Sequence, residues 1–282
     1  APAAHALISI PVLMATAMAR AASRVGAARA GASVLCADVS TTLEHPEEEL
    51  MSSQFRKGLV SFVVPVWNRA DVIESTLNSI RRQSYRPLEV IVVDDGSVDD
   101  TREVVSRWVE ANTGDDFQCR CLHQENQGQN VARNTGLGVC SGEFIQFMDS
   151  DDLIHRRKVE LGVEAARQDP DVDIVVSWVR RFTDESEVGG WVTEELTPRK
   201  SRVNPERPPR YASIRWDLWQ PLFRHDLIVR CGMLDDIRAG GSYAYMVRLK
   251  LHSRKTEHLP YSLSYYRQGL EISMVRCSHH VR

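Results

Sequence analysis

From residue 59 onward, short apolar runs alternate with amphipathic stretches, and that rhythm constrains the fold more than any other feature of the chain. LVSFVVPV (59–66), LEVIVV (88–93), Phe117–His123 and Phe144–Met148 read as buried strands. Between them, ADVIESTLNSIRRQ (70–83) places Ile73, Leu77 and Ile80 on one helical face; Val104, Val105, Trp108 and Val109 line a second helix, and Asn130–Leu137 forms a third. A βαβα order of this kind implies an α/β fold, a doubly wound and mainly parallel sheet with ligands gathered outside the C-terminal ends of its strands. A helix over about 153–167 and a strand at 172–179 continue the pattern.

Those strand ends are acidic. Asp149, Asp151 and Asp152 close GEFIQFMDSDD (142–152), and Asp94 and Asp95 close the second strand just before Gly96, where the chain can turn tightly. Clustered carboxylates repel one another. Two readings of Asp149–Asp152 stay open on these residues alone: hard oxygen ligands for Mg²⁺ or Mn²⁺, or caps for the helix expected from Leu153. Asp100 or Thr101 can start the helix after Gly96. A carboxylate at a strand end also suits a ribose diol or a base N–H, so two acidic strand ends side by side describe one nucleotide site, one set holding the nucleoside and the other bridging through metal to its diphosphate. A dinucleotide-binding fold of the dehydrogenase type shares the rhythm but not the glycines: GLGVCSG (136–142) follows a helix and precedes a strand, and PVWNRAD (65–71) has no glycine. There is no P-loop.

The 282 residues carry a net charge of −3, which gives no reason to expect nucleic acid as a partner. Six cysteines, at 36, 119, 121, 140, 231 and 277, lack zinc-like spacing and read as reduced thiols of a cytoplasmic protein. No apolar run reaches the roughly 18 residues of a transmembrane helix. Residues 1–50 are Ala-rich at first, hold Arg20, Arg24 and Arg29 and no acid before Asp38, and are expected to form a transit-like or disordered extension outside the fold. Residues 197–215, with four prolines and six Lys or Arg, read as a long loop: a solvated connection, or a lid whose cations meet phosphates.

VSFVVPVWNRADVIESTLNSIRRQSYRPLEVIVVDDGSVDDT, ENQGQNVARNTGL and GEFIQFMDSDD, in this order, resemble family 2 of the glycosyltransferases over about residues 59–268. The resemblance implies the A-type, Rossmann-like fold and inverting transfer from a nucleotide-diphosphate sugar, with a nucleotide-sugar half at about 59–152 and an acceptor half at about 153–268. It implies that Pro65, Val66 and Trp67 pack around the base, that Asp94 and Asp95 serve the nucleoside with Asp95 on the base, and that Arg133 contacts the nucleotide. Asp149 would face the ribose, and Asp151, with Asp149, would hold Mn²⁺ or Mg²⁺ on the diphosphate. A UDP-sugar is the favoured donor; the acceptor is a glycan, lipid-linked or protein molecule, as in cell-wall or polysaccharide synthesis, with possible peripheral attachment to the inner face of a membrane.

One motif departs from the family. Its general base is usually an acid in a Gly-Glu-Asp-like motif opening a helix, whereas AGGSYAYMVRLKL (239–251) has Gly241 and Ser242 there. Asp235 and Asp236 are the nearest substitutes, with a turn before the helix as their plainer role and His225 as a weaker candidate. His279 and His280 suggest either a metal site or a frayed tail, 269–282. Two functions follow: a metal-assisted glycosyltransferase, or a non-catalytic nucleotide-sugar-binding protein.

Overall fold

The computed structural model describes residues 37–38, 55–190, 192–196, 198, 217–236 and 241–269. Apart from residues 37–38 and 198, the expected extension and the basic loop lie outside the described residues, as do Cys36, Cys277, His279 and His280.

Among the described residues nine strands form one sheet: β1 (Ala37–Asp38), β2 (Arg56–Val66), β3 (Leu88–Asp95), β4 (Phe117–Gln124), β5 (Gly142–Phe147), β6 (Leu153–Ile154), β7 (Val172–Phe182), β8 (Leu222–Arg224) and β9 (Lys255–Arg267). Their order is β1-β4-β3-β2-β5-β8-β7-β9-β6. β1 to β5 are mutually parallel where they pair, and β8 runs antiparallel to both β5 and β7. From β2 the chain winds outward through β3 to β4, then crosses back to β5 on the other side of β2, which makes the C-terminal end of β2 the switch point.

Both faces are covered where β2, β3 and β5 carry apolar residues on both sides. Phe62, Val64 and Val66 of β2 share a core with α1 (Ile73–Arg81), α2 (Thr101–Asn112) and α4 (Lys158–Gln168). Val63, Ile145 and Phe147 face α3 (Gln129–Leu137), α5 (His225–Cys231) and α6 (Gly241–His252). The helices turn the expected periodicity inward, with Ile73, Leu77 and Ile80 of α1 and Val105, Trp108 and Val109 of α2 all buried. Thr101 opens α2, and Asp99 takes its backbone N–H at 3.1 Å.

One expected element is different. The helix begins at Lys158, not Leu153, because Leu153 and Ile154 pair antiparallel with Tyr265 and Ser264 of β9 and are both buried. His155 makes the turn into α4, its Nδ1 accepting the N–H of Arg157 at 3.1 Å and its carbonyl that of Lys158 at 2.9 Å. Asp149–Asp152 therefore do not cap a helix. The described thiols at 119, 121, 140 and 231 form no disulfide among the described residues, and burial raises Cys119 to about 12 and Cys231 to about 11.

Candidate nucleotide-sugar site

The ends of three parallel strands meet in register. Pro65 lies opposite Val93 and Val66 opposite Asp94, while Asp94 and Asp95 lie opposite His123 and Gln124 of β4. Met148, just past β5, donates its N–H to Val63 of β2 at 3.0 Å, so Asp149 emerges beside the end of β2. Pro65 and Val66 are buried and Trp67 is half-buried at the start of the following turn. That turn is pinned to the one after β3: Ser97 Oγ accepts from Asn68 N at 3.0 Å and Asn68 Oδ1 from Val98 N at 2.9 Å.

Asp94 and Asp95 are fully buried, and each organises backbone. Asp94 accepts from Ser97 N at 3.0 Å and sits 2.8 Å from His123 Nδ1. Asp95 accepts from Gln124 Nε2 at 2.7 Å, Gln127 N at 2.9 Å and Gly128 N at 2.8 Å, which fastens the loop from β4 to α3 over the strand ends. Gly96 is required twice here: its φ is +74°, and a Cβ would lie 2.8 Å from Asn126 N of that same loop.

α3 then presents Arg133, only 2% exposed. Its Nη2 donates to Asp149 Oδ1 at 2.6 Å and its Nη1 to Ser242 Oγ at 2.7 Å. Gln129 Nε2 adds a third contact, to Asp149 at 3.1 Å. Ser242, where the sequence lacks the expected acid, is thus joined to the acidic strand end through one guanidinium. Its hydroxyl also donates to Asn130 Oδ1 at 3.2 Å.

The other acids are held from the opposite side. Asp151 lies 3.5 Å from Arg69 Nε, and Arg267 at the end of β9 donates its backbone N–H to Asp152 at 2.9 Å and its Nε to the Asp151 carbonyl at 2.8 Å. Asp152 Oδ2 is buried with no hydrogen-bond partner among the described residues. Burial, then Asp149, pushes the Asp151 carboxyl up against the pull of Arg69; burial, then Asp151 and Asp149, pushes Asp152 well up. Both shifts come first from burial and second from the neighbouring carboxylates, against the pull of the arginines. Among the described residues no three acids, histidines or cysteines converge into a preformed metal cage. The donor set still fits Mn²⁺ or Mg²⁺, which takes one or two carboxylates and completes its shell with water and substrate phosphate oxygens.

Sequence reasoning missed several neighbours. Gln146 Nε2 on β5 donates to the Trp219 carbonyl at 2.7 Å, drawing the turn before β8, with Asp217, alongside the acids. Burial and then Asp149 raise the Asp217 carboxyl, opposed by Arg133 and Arg181. Tyr266, 40% exposed, stacks on buried Trp219 with ring centroids 6.4 Å apart, and its hydroxyl is raised by burial and then by Asp152, Asp151, Asp217 and Asp149. The turn at 217–221 and the end of β9 follow segments of unlike composition, and only the aromatic pair before Arg267 in SYYR hinted at a packed strand end.

The substitute bases are placed less favourably. Arg248 forms an ion pair with the Asp235 carboxylate, and Asn130 Nδ2 donates to the Asp235 carbonyl at 3.1 Å. Asp236 is exposed and borders residues 237–240, outside the described set. His225 is buried at the opposite end of β5 from Asp149, its Nδ1 2.8 Å from the Gly142 carbonyl and its ring stacked on Phe55, so it is no base for this site.

The family described as glycosyl transferase family 2 matches residues 61–226. Among curated proteins, the chain is 28% identical over 224 residues to EpsJ of Bacillus subtilis (strain 168), named an uncharacterized glycosyltransferase, covering 77% of this chain and 58% of EpsJ. The chain thus spans little more than half of that relative's length. Among solved structures, S. aureus TarS 1–349 in complex with UDP-GlcNAc superposes with a TM-score of 0.61 at 20% identity over 79% of this chain and 61% of TarS. The mannosyltransferase PcManGT of Pyrobaculum calidifontis, solved with GDP-Man and Mn²⁺, gives a TM-score of 0.57 at 21% identity over 78% and 59%. The matched stretch holds the strand ends, Arg133, the acids at 149–152 and Asp217, and by it the protein belongs to glycosyltransferase family 2, with the A-type fold.

Proposed function

We propose that the protein transfers a sugar, with inversion, from a nucleoside-diphosphate sugar to a hydroxyl of a glycan, lipid-linked or protein acceptor. The observation that carries this reading is the convergence of the β2, β3 and β5 ends, where buried Asp94 and Asp95 fasten two loops beside the acids at 149–152. Pro65, Val66 and Trp67 wall the base pocket, and Asp95 holds the 124–128 loop against the nucleoside. Arg133 orients Asp149 toward the ribose. Asp151 and Asp149 would hold Mn²⁺ or Mg²⁺, which when bound offsets the charge of the departing diphosphate. The solved neighbours bound to UDP-GlcNAc and to GDP-Man with Mn²⁺ support this donor class; UDP is our preferred nucleotide.

Among the described residues no helix is long and apolar enough to cross a membrane. We place the reaction in the cytoplasm, with a lipid-linked acceptor as the reason for any peripheral contact with a membrane.

The test is calorimetric titration of the full chain with UDP, UDP-GlcNAc and GDP-mannose, with and without Mn²⁺, following nucleoside diphosphate release in the same samples. Metal-dependent binding of one donor with release of its diphosphate is expected. Failure of a folded sample to bind any of them overturns the proposal, and binding without release, when acceptors are also supplied, favours the non-catalytic reading.

A further inference from the structure

Inverting transfer needs a group to take the proton from the attacking hydroxyl. The acids around the site are mostly committed. Asp94, Asp95 and Asp152 are buried and hydrogen-bonded. Asp149 and Asp151 face Arg133 and Arg69 and are assigned above to the metal. Asp235 is paired with Arg248. Ser242 accepts from Arg133 and has no useful basicity.

Around the site two acids take no such partner among the described residues: Asp236, beside the paired Asp235, and, on the turn before β8, Asp217. Asp217 is exposed, and among the described residues its carboxyl takes no hydrogen bond, yet it lies within electrostatic reach of Asp149 and Arg133. Its placement is built. β8 runs antiparallel to β5 with Leu222 opposite Gln146, and the preceding turn is fastened at two carbonyls: Trp219 accepts from Gln146 Nε2 at 2.7 Å, and Gln220 from the buried Lys158 Nζ at 2.6 Å. Lys158 Nζ also donates to Ser264 Oγ at 3.1 Å, tying this turn to β9. Trp219, two residues on from Asp217, lies under the half-exposed ring of Tyr266, whose hydroxyl is within electrostatic reach of Asp217, so the turn carrying this carboxylate is packed against an open aromatic face.

Resting on the transferase reading above, we propose that Asp217 is the proton acceptor of the transfer, in place of the acid absent at Gly241-Ser242. As the acceptor oxygen bonds to the anomeric carbon, the bond from that carbon to the diphosphate oxygen breaks and its electron pair leaves with the diphosphate. The hydroxyl proton passes to the Asp217 carboxylate and then to solvent.

The test uses Asp217→Asn and Asp217→Glu in the full chain with UDP-GlcNAc and Mn²⁺, GDP-mannose replacing it if that is the donor bound. Water serves as acceptor and diphosphate release as readout. Asp217→Asn should slow release roughly 10²–10⁴-fold, with donor affinity within about twofold of wild type, and Asp217→Glu should recover part of the rate. Azide, a nucleophile with no proton to lose, should restore the rate of Asp217→Asn and yield a glycosyl azide of inverted configuration. Unchanged release, a slowed rate that azide does not rescue, or loss of affinity for the donor but not for the free nucleoside diphosphate, would each overturn the role; the last would make Asp217 a sugar-hydroxyl contact. Loss confined to Asp236→Asn would move the role there. A wild-type chain that binds no donor removes the transferase reading itself, and is told apart because the failure precedes any substitution.

Discussion

Asp95 has no exposed surface and three donors, two of them backbone N–H groups of the loop that closes over the strand ends. Removing its carboxylate strands those donors, so Asp95→Ala should lower stability by about 3 kcal/mol in urea denaturation and Asp95→Asn, which keeps one acceptor oxygen, by about 1 kcal/mol. Lost donor affinity at unchanged stability would contradict the loop-fastening role. Asp94, Asp95, Asp149 and Asp151 were legible in the sequence because acids closing apolar strands break the pattern around them. Arg69, Asp217, Tyr266 and Arg267 were not. They enter from turns and from the last strand, and their meeting is decided by the order of β8, β7 and β9, which no local periodicity encodes.

The elements that could be read were those buried on both faces. β2 and β3 are nearly continuous apolar runs, and their helices have one clear apolar side. β9 is harder: KTEHLPYSLSYYR is exposed or half-buried along most of its length and holds Pro260, which argues against a strand on sequence grounds. β6 shows the reverse error, a short apolar pair read as the start of a helix until β9 captured it. Between α3 and the sheet the contact is close enough to test. A Cβ on Gly136 would lie 2.6 Å from Val63 Cγ1, so Gly136→Ala must push α3 off β2 and should cost about 1–3 kcal/mol, read from the urea midpoint. An unchanged midpoint would mean that α3 rides further from the sheet.

At the scale of the whole molecule, Lys158 is a buried amine whose charge its surroundings disfavour. It is 5% exposed, meets only the neutral acceptors Gln220 and Ser264 among the described residues, and desolvation lowers its pKa from 10.5 to about 7. Between those values the unfolded chain holds the proton and the folded chain does not, so this group adds stability as pH rises through the window, by up to about 1.4 kcal/mol per pH unit. Unfolding free energies of wild type and Lys158→Met at pH 7, 8 and 9 should therefore diverge in favour of wild type with rising pH. A constant difference would show that the amine stays charged.

Arg267 grips Asp151 and Asp152 from 116 and 115 positions along the chain. During synthesis, β2 to β5 leave the ribosome well before residue 267, and at about 5–20 residues per second the acid turn waits several seconds for its clamp. A nascent chain stalled before β9 would have the loops at Asp94 and Asp95 fastened and Asp149 already held by Arg133, with Asp152 and the Asp151 carbonyl still lacking Arg267, so the acid turn is completed in two instalments, one from each half of the chain.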